Sequence, residues 1–188
     1  MAQTTKRALA ASLKKLLEKK PLDKITVVDI AEDCGVNRQT FYYHFQDIYD
    51  LVEWIFLSEA TKALDGKTTY DTWQEGFLRI FEYICQNKAL VQNTYHSVSR
   101  EHLERYLYRE TYRLLYGVVA EKSENLTVRE ADKTFIAHFY KYAFVGEVLE
   151  WIRTGMKQPP DSILTELSIL MHGNITGALE RFSSTRRD

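Results

Sequence analysis

The segment from residue 25 to residue 45, ITVVDIAEDCGVNRQTFYYHF, limits the possible folds of this chain more than any other part of it. In its first half, Val27, Ile30, Ala31 and Cys34 recur at the i, i+3, i+4, i+7 spacing of one buried helix face. The second half repeats a helical pattern after a short break. The segment therefore predicts two short helices joined by a tight turn.

Local signals place the ends of these two helices. Thr26 with Asp29 three residues later is a capping pair typical of a helix start. Gly35 can adopt the left-handed backbone conformation of a sharp reversal, and Val36 beside it can fill the angle between the helices. Asn37 is a favoured N-cap for the second helix.

The second helix has one apolar and one polar side. Phe41 and Phe45, four residues apart, are expected to point into the core. An ordinary helical hairpin with a solvated face would usually carry Lys and Glu, whereas here Gln, Thr and Tyr supply hydrogen-bonding and stacking groups. This composition favours a helix-turn-helix whose second helix recognises DNA. The polar candidates are Arg38, Gln39, Thr40, Tyr42, Tyr43 and His44.

These residues resemble the signature of the TetR/AcrR family of bacterial transcriptional regulators, T-x-x-x-I-A followed by G-V-x-x-x-T-x-Y-x-x-F. The matching positions here are Thr26, Ile30, Ala31, Gly35, Val36, Thr40, Tyr42 and Phe45. The resemblance implies that Asn37 caps the recognition helix and that the other contacts divide into two groups. Phosphate contacts are implied for Thr26, Thr40 and Tyr42, and base contacts for Arg38, Gln39, Tyr43 and His44.

One position departs from the family pattern. Many members carry a phosphate-binding lysine three residues after the last aromatic residue of the motif, where this chain has Ile48, with Asp47 beside it. A lysine contributes to phosphate affinity through its charge. We therefore expect a weaker hold on the DNA backbone than the motif alone suggests.

The charge of the chain is unevenly distributed. The overall net charge is −1, but residues 1–46 carry eight Lys and Arg against five Asp and Glu, which gives this part +3 and the remainder −4. Lys6 and Arg7 are candidates for phosphate contacts, with a solvated helix face as the alternative. The other basic side chains on or beside the first helix are Lys14, Lys15, Lys19, Lys20 and Lys24.

Composition excludes several other classes of protein. No apolar run approaches the roughly 20 residues that span a bilayer, and the N-terminal residues lack the apolar stretch of a secretory signal. Cys34 and Cys85 suit a reducing compartment, so we expect a cytoplasmic protein without a membrane contact. We expect no cofactor and no metal, because His96 and His102 lack the i, i+4 spacing of a helical metal site.

The remaining sequence keeps a helical pattern, which predicts an all-α fold of about nine helices. We expect a three-helix DNA-binding domain at residues 1–46 and a helical effector-binding and dimerisation domain at residues 47–188. Asp47 should begin the fourth helix, which should end near the Asp65-Gly66 turn. The later helices are predicted at 70–87, 89–97, 101–122, 128–154 and 161–182.

The last two predicted helices carry more apolar surface than one small core readily covers. Apolar residues spread around more than one face between Phe135 and Ile152, and Gly173 and Gly177 are spaced for a close helix approach. The family resemblance implies a two-fold homodimer through residues 128–182. The alternative is that both helices complete the core of the monomer.

An effector pocket is expected in the middle of the second domain. Trp73, Phe77, Phe81 and Cys85 recur every four residues, which predicts one helix face, and Tyr83 lies off this stripe. Apolar rings with a few polar tips suit a ligand cavity, although such residues more often fill a core. The candidate ligand contacts are Phe77, Phe81, Cys85, Tyr95, His96, Tyr112, His138 and Tyr142.

Three functions compete. The first is a DNA-binding transcriptional regulator, a homodimer on a palindromic operator of double-stranded DNA, controlled by an unknown small-molecule effector. The second is the same fold controlled by a protein partner, since QTFYYHFQDIYDLVEWIF is similar to the family branch that includes regulators of dihydroxyacetone kinase operons. The third is an enzyme, which the sequence disfavours because it has neither a phosphate loop nor a nucleophile elbow.

Overall fold

The computed structural model describes residues 2–60, 69 and 72–184, and these residues form helices without any β-strand. The prediction of an all-α fold is confirmed. In chain order the helices are α1 (Ala2–Leu17), α2 (Val27–Asp33), α3 (Arg38–His44), α4 (Ile48–Ile55), α5 (Trp73–Gln86), α6 (Lys88–Tyr95), α7 (Arg100–Lys122), α8 (Glu130–Arg153), α9 (Pro160–Met171) and α10 (Asn174–Ser184).

Two predictions about helix ends need comment, one for the closing helix and one for the fourth helix. The closing segment forms two helices rather than one, because Gly173 has a left-handed backbone (φ +71°) that interrupts the helix after Met171. The prediction of one helix over 161–182 is therefore wrong, and Gly173 and Gly177 do not lie on the same helix. Asp47 is the N-cap of the fourth helix, as predicted. This helix continues into a π-helical turn (Phe56–Ala60), and its predicted end near residue 65 lies outside the described residues.

The chain divides into two compact units. The first unit holds residues 1–60 and 84–106, and the second holds residues 61–83 and 107–188. In the first unit, α1 packs against α2, α3, α4 and α6. The core of this unit is formed by Leu9, Leu13, Leu17, Ile30, Phe41, Phe45, Leu51, Val52 and Ile55.

Polar bonds join separate helices of the first unit. The Ser12 hydroxyl donates to the Ile30 carbonyl at 3.2 Å, which ties α1 to α2. Glu53 on α4 accepts a bond from Arg105 on α7 at 2.8 Å, and the His102 Nδ1 lies 3.3 Å from its other oxygen. These contacts fix α4 to the first turns of α7.

The second unit has an aromatic core between α5 and α8. The ring centroids of Phe77 and Phe144 lie 4.7 Å apart, and those of Phe81 and Trp151 lie 4.9 Å apart, both in edge-to-face geometry. The Trp151 indole N–H donates to the Gln158 carbonyl at 2.8 Å, so its buried polar atom is satisfied.

The apolar residues of α8 fall on two faces, as their distribution in the sequence indicated. Ile136 and Val148 are buried, whereas Phe135, Phe139 and Tyr142 are 57–63% exposed. The buried face completes the core of this unit, and the aromatic face is left on its surface. Among the described helices, none combines the length and apolar character that crossing a membrane requires.

Candidate nucleic-acid interface

The turn between α2 and α3 is a Schellman motif. Gly35 has φ +67°, and its N–H donates to the Glu32 carbonyl at 3.1 Å. The N–H of Val36 donates to the Ala31 carbonyl at 2.9 Å. These two bonds satisfy carbonyls at the end of α2 that would otherwise lack partners. The turn predicted at Gly35 is therefore present, and it fixes the direction in which α3 leaves.

The N-terminus of α2 is closed by the predicted capping pair. The Asp29 N–H donates to the Thr26 hydroxyl oxygen at 3.2 Å, while the Thr26 N–H and hydroxyl both donate to the Asp29 carboxylate at 2.7 Å. Lys20 lies 2.9 Å from the second carboxylate oxygen. The bonds from Lys20 and then from Thr26 lower the pKa of Asp29 to about 2.

Asn37 caps α3, as the sequence predicted. Its side-chain oxygen accepts bonds from the Thr40 N–H at 2.8 Å and from the Thr40 hydroxyl at 3.0 Å. The hydroxyls of Thr26 and Thr40 thus both donate to side chains of this protein. A phosphate would have to replace these acceptors, so the phosphate contacts of the two threonines stay predictions.

The outer face of α3 presents four exposed side chains. Arg38, Gln39, Tyr42 and Tyr43 occupy positions i, i+1, i+4 and i+5, which lie on one side of a helix. Tyr43 is 83% exposed and Tyr42 is 58% exposed. Within the described part of the chain, no side chain pairs with Arg38 or Gln39. We call these four residues the α3 face.

His44 lies at the edge of the α3 face. It is half-buried, and its ring meets the ring of Tyr43 edge-on, with the two centroids 5.0 Å apart. The His44 ring therefore packs against Tyr43, and its ring nitrogens are the atoms that would contact a base. A base contact by His44 stays a prediction.

The inner face of α3 is fixed by aromatic packing. Phe41 and Phe45 are buried, as predicted, with ring centroids 5.9 Å apart. Trp54 on α4 lies 5.8 Å from the Phe45 ring, and the Lys6 ammonium on α1 lies 5.0 Å from the same ring. Helices α1 and α4 therefore pack against the inner side of α3 from two directions.

Several basic side chains near α1 are engaged by carboxylates. Lys15 pairs with Asp33 at 2.5 Å, in addition to the Lys20–Asp29 pair. Arg7 is exposed and makes no ion pair among the described residues. Part of the positive charge of residues 1–46 is therefore neutralised by ion pairs, whereas Arg7 and Arg38 are exposed and make no ion pair among the described residues.

The N-terminus of α4 carries carboxylates where the family often has a lysine. Asp47 accepts a bond from the Asp50 N–H at 2.8 Å, and Asp50 accepts one from the Gln46 N–H at 2.9 Å. Tyr42 lines the same small cavity as Asp47 and Ile48. Negative charge therefore lies beside the α3 face, in line with the expected weaker phosphate contact.

The candidate effector residues on α5 do not share one face. Phe77 and Phe81 are fully buried in the aromatic core, but Cys85 is exposed, so the prediction that it continues their stripe is wrong. A spacing of four advances about 40° beyond a full turn at each step, which turns residue 85 away from residue 73 by roughly 120°. Tyr83, which the stripe left out, is buried instead.

The other candidates fall in different units. Tyr95 and His96 belong to the first unit, where Tyr95 is buried and its ring centroid lies 4.4 Å from the Arg100 guanidinium, and His96 is exposed.

Across residues 2–60 and 72–184, no three His, Cys, Asp or Glu side chains are grouped to hold a metal ion.

Three candidates in the second unit do come together. The Tyr112 and His138 rings lie 4.8 Å apart, and Tyr142 lies 6.4 Å from His138. Lys141, which the sequence analysis did not select, is buried among these rings. A lysine inside the apolar run FIAHFYKYAFV is the signal that could have identified it.

Comparison with known proteins assigns the chain to a family. Residues 8–55 match the family described as "Bacterial regulatory proteins, tetR family", and residues 71–173 match the family described as "Transcriptional regulator C-terminal region". The chain is 26% identical, over 80% of its length and 81% of the relative, to the HTH-type dhaKLM operon transcriptional activator DhaS of Lactococcus lactis. It is 30% identical to the HTH-type transcriptional regulator EthR of Mycobacterium tuberculosis over 45% of this chain and 44% of EthR.

Solved structures agree on the fold. The dihydroxyacetone kinase operon activator DhaS superposes with a TM-score of 0.74 at 22% identity, over 96% of this chain and 98% of DhaS. NalD of Pseudomonas aeruginosa, the secondary repressor of the MexAB-OprM multidrug efflux pump, superposes with a TM-score of 0.62 at 15% identity, over 92% and 96%. Because one regulator profile covers the helix-turn-helix and another covers more than half of the chain, the chain belongs to the tetR family of bacterial regulatory proteins and is a DNA-binding transcriptional regulator rather than an enzyme.

Proposed function

We propose that this regulator binds a palindromic operator as a homodimer, with one α3 in the major groove of each half-site. The observation that carries the proposal is the α3 face, whose four side chains are exposed on a helix that α1 and α4 hold in place. A single seven-residue helix spans few base pairs, and two copies related by a two-fold axis read two half-sites.

The residues of the α3 face divide by chemistry. Arg38 and Gln39 carry the multiple donors that make bidentate contacts to base edges, and Tyr43 is exposed beside them. We expect Tyr42, which is also exposed, to contact a phosphate through its hydroxyl. The further members of the proposed DNA-binding set are Thr26, Asn37, Thr40 and His44. Asn37 contributes indirectly, because its side chain caps the N-terminus of α3. We propose that residues 1–46 form the DNA-binding domain.

The dimer is proposed to form through residues 128–182. Phe135 and Phe139 leave an apolar face of α8 exposed, and Ile169 and Leu170 of α9 are 66–70% exposed. Apolar surface of this kind is typical of a protein interface. The cytoplasm is the proposed location, because that is where bacterial operators lie.

Control is proposed to come from an effector acting on residues 47–188, which shifts the spacing of the two α3 helices. The similarity to DhaS favours a second form of control. DhaS is a transcriptional activator of the dhaKLM operon. As the alternative, we propose that a kinase-like protein partner, rather than a small molecule, carries the signal to this regulator. The first test of this alternative is a pull-down with the purified regulator.

The DNA-binding proposal is tested by measuring affinity for the DNA upstream of the gene itself, against a scrambled duplex of equal length. We expect tighter binding to the upstream DNA, a steep loss of affinity as salt rises, and a loss in Arg38→Ala. The matched control is Lys157→Ala, which removes one positive charge from an exposed position of the second unit. Equal affinity for both duplexes without a salt dependence would contradict the proposal.

A further inference from the structure

Lys141 is an unusual residue of α8 because its side chain is buried while its charge has no acidic partner. Only 8% of the residue is exposed. Within the part of the chain that the structure describes, no carboxylate lies within ion-pair distance of its ammonium. Lysine is almost never buried in this way unless an acidic group accompanies it.

Three tyrosine rings surround the ammonium. Its Nζ lies 4.3 Å from the ring centroid of Tyr142, 5.3 Å from that of Tyr108 and 5.8 Å from that of Tyr112. The faces of aromatic rings attract a cation, but they accept no strong hydrogen bond. Among the described residues, no protein group accepts a hydrogen bond from the ammonium, so its three N–H donors are left for solvent or for a ligand.

The surroundings of the ammonium are aromatic rather than acidic. The His138 ring packs edge-on against Tyr112, and Tyr108 packs against Tyr142 at 5.5 Å. Two of these tyrosines belong to α7 and the other ring residues to α8, so the group lies between two helices of the second unit. Tyr142 is 57% exposed, which leaves the group open to solvent on one side.

We propose that Lys141, with Tyr108, Tyr112 and Tyr142, binds the acidic group of a small aromatic or otherwise planar effector. A carboxylate or phosphate would supply the acceptors that no described protein group supplies, and the tyrosine rings would contact the apolar part of the same molecule. This inference rests on the proposed control by an effector and names the chemical class of that effector.

The test measures the binding of benzoate and phenyl phosphate to the full chain by calorimetry, with benzyl alcohol as the uncharged comparison. We expect one or both acids to bind and the alcohol not to bind; the tighter acid then separates carboxylate from phosphate recognition. Lys141→Met keeps the length of the side chain without its charge and should weaken binding by roughly ten- to a hundredfold. Lys157→Met, at an exposed position of the same unit, should bind as the unaltered chain does.

A second variant keeps the proposal testable if Lys141→Met folds poorly. Tyr142→Ala changes an exposed position, so it should fold, and it should also weaken the binding of the acid. Absence of binding by both acids, or unchanged binding in Lys141→Met, would overturn the proposal. Loss of the dimer in Lys141→Met would also overturn it, since the acidic partner would then belong to a second copy of the chain.

DNA binding is measured on the same samples without any acid. If the unaltered chain binds its upstream DNA but neither acid, the effector site is wrong and the proposed DNA-binding function stands. If the unaltered chain binds the acids but not its upstream DNA, the effector site stands and the proposed DNA-binding function is wrong.

Discussion

The α3 face and the aromatic face of α8 both expose large rings, but they differ in what accompanies the rings. On α3, Tyr42 and Tyr43 stand beside Arg38 and Gln39, so every ring has polar donors around it. On α8, Phe135 and Phe139 have no polar atoms of their own and are more than 60% exposed. The first face suits the polar edges of nucleic acid, and the second suits another apolar protein surface.

The two helices also differ in how they are held. Helix α3 has seven residues and depends on a side-chain cap and on packing from α1 and α4. Helix α8 has 24 residues and a buried face of its own along its length. An exposed aromatic ring therefore indicates a binding surface, and its neighbours indicate which partner it binds.

The largest effect is expected when the α8 face is charged. Phe139→Glu should raise the dissociation constant of the dimer more than 100-fold. Burying one phenylalanine contributes about 1.5–3 kcal/mol, and each of the two subunits of a two-fold dimer buries its own Phe139. Sedimentation velocity over a range of concentrations measures this. The matched control is Tyr43→Glu, which should lose DNA binding and stay dimeric; a dimer in Phe139→Glu would show that the α8 face serves another purpose.

Within the α3 face, base contacts and phosphate contacts should separate. Gln39→Ala should lose about 1–3 kcal/mol at a single base position, whereas Tyr42→Phe should weaken binding to all sequences alike. Affinities for a set of duplexes with single base changes measure both. An unchanged sequence profile in Gln39→Ala would remove this residue from the base-reading set.

The dependence of α3 on its cap predicts a smaller loss of stability. Asn37→Ala removes the acceptor for the Thr40 N–H and hydroxyl, and should lower the free energy of unfolding by about 1 kcal/mol. Urea unfolding followed by circular dichroism measures it. Exposed Glu180 of α10 offers a control, since Glu180→Ala should change stability much less.

The smallest expected effect is on the stability of the folded chain at low pH. The pKa of Asp29 lies near 2 in the folded chain, below the ordinary carboxyl value of 3.8, so its contacts with Lys20 and Thr26 stabilise the folded state above about pH 4. This contribution is lost as the pH falls from 3.8 towards 2. Asp29→Asn should therefore melt at a lower temperature than the unaltered chain at pH 7, and the difference should disappear near pH 2. A difference that is independent of pH would show that the charge of Asp29 is unimportant.

Local signals made the helix-turn-helix predictable. The caps at Thr26, Asn37 and Asp47 and the reversal at Gly35 depend on residues within a few positions of each other, and all four are present in the structure. The break at Gly173 was missed because the apolar pattern continues across it, and periodicity alone does not register one left-handed residue.

The sequence by itself determined the all-α class, the bounds of α2 and α3, and the residues of the α3 face, since hydrogen bonds and periodicity over a few residues specify them. Only the tertiary structure decided which rings are core and which are surface, from the exposure of Cys85 to the burial of Lys141 among tyrosines of two helices. Tyr108 and Lys141 are brought together by packing of α7 against α8, and a contact between residues so far apart in the chain leaves no local pattern to read.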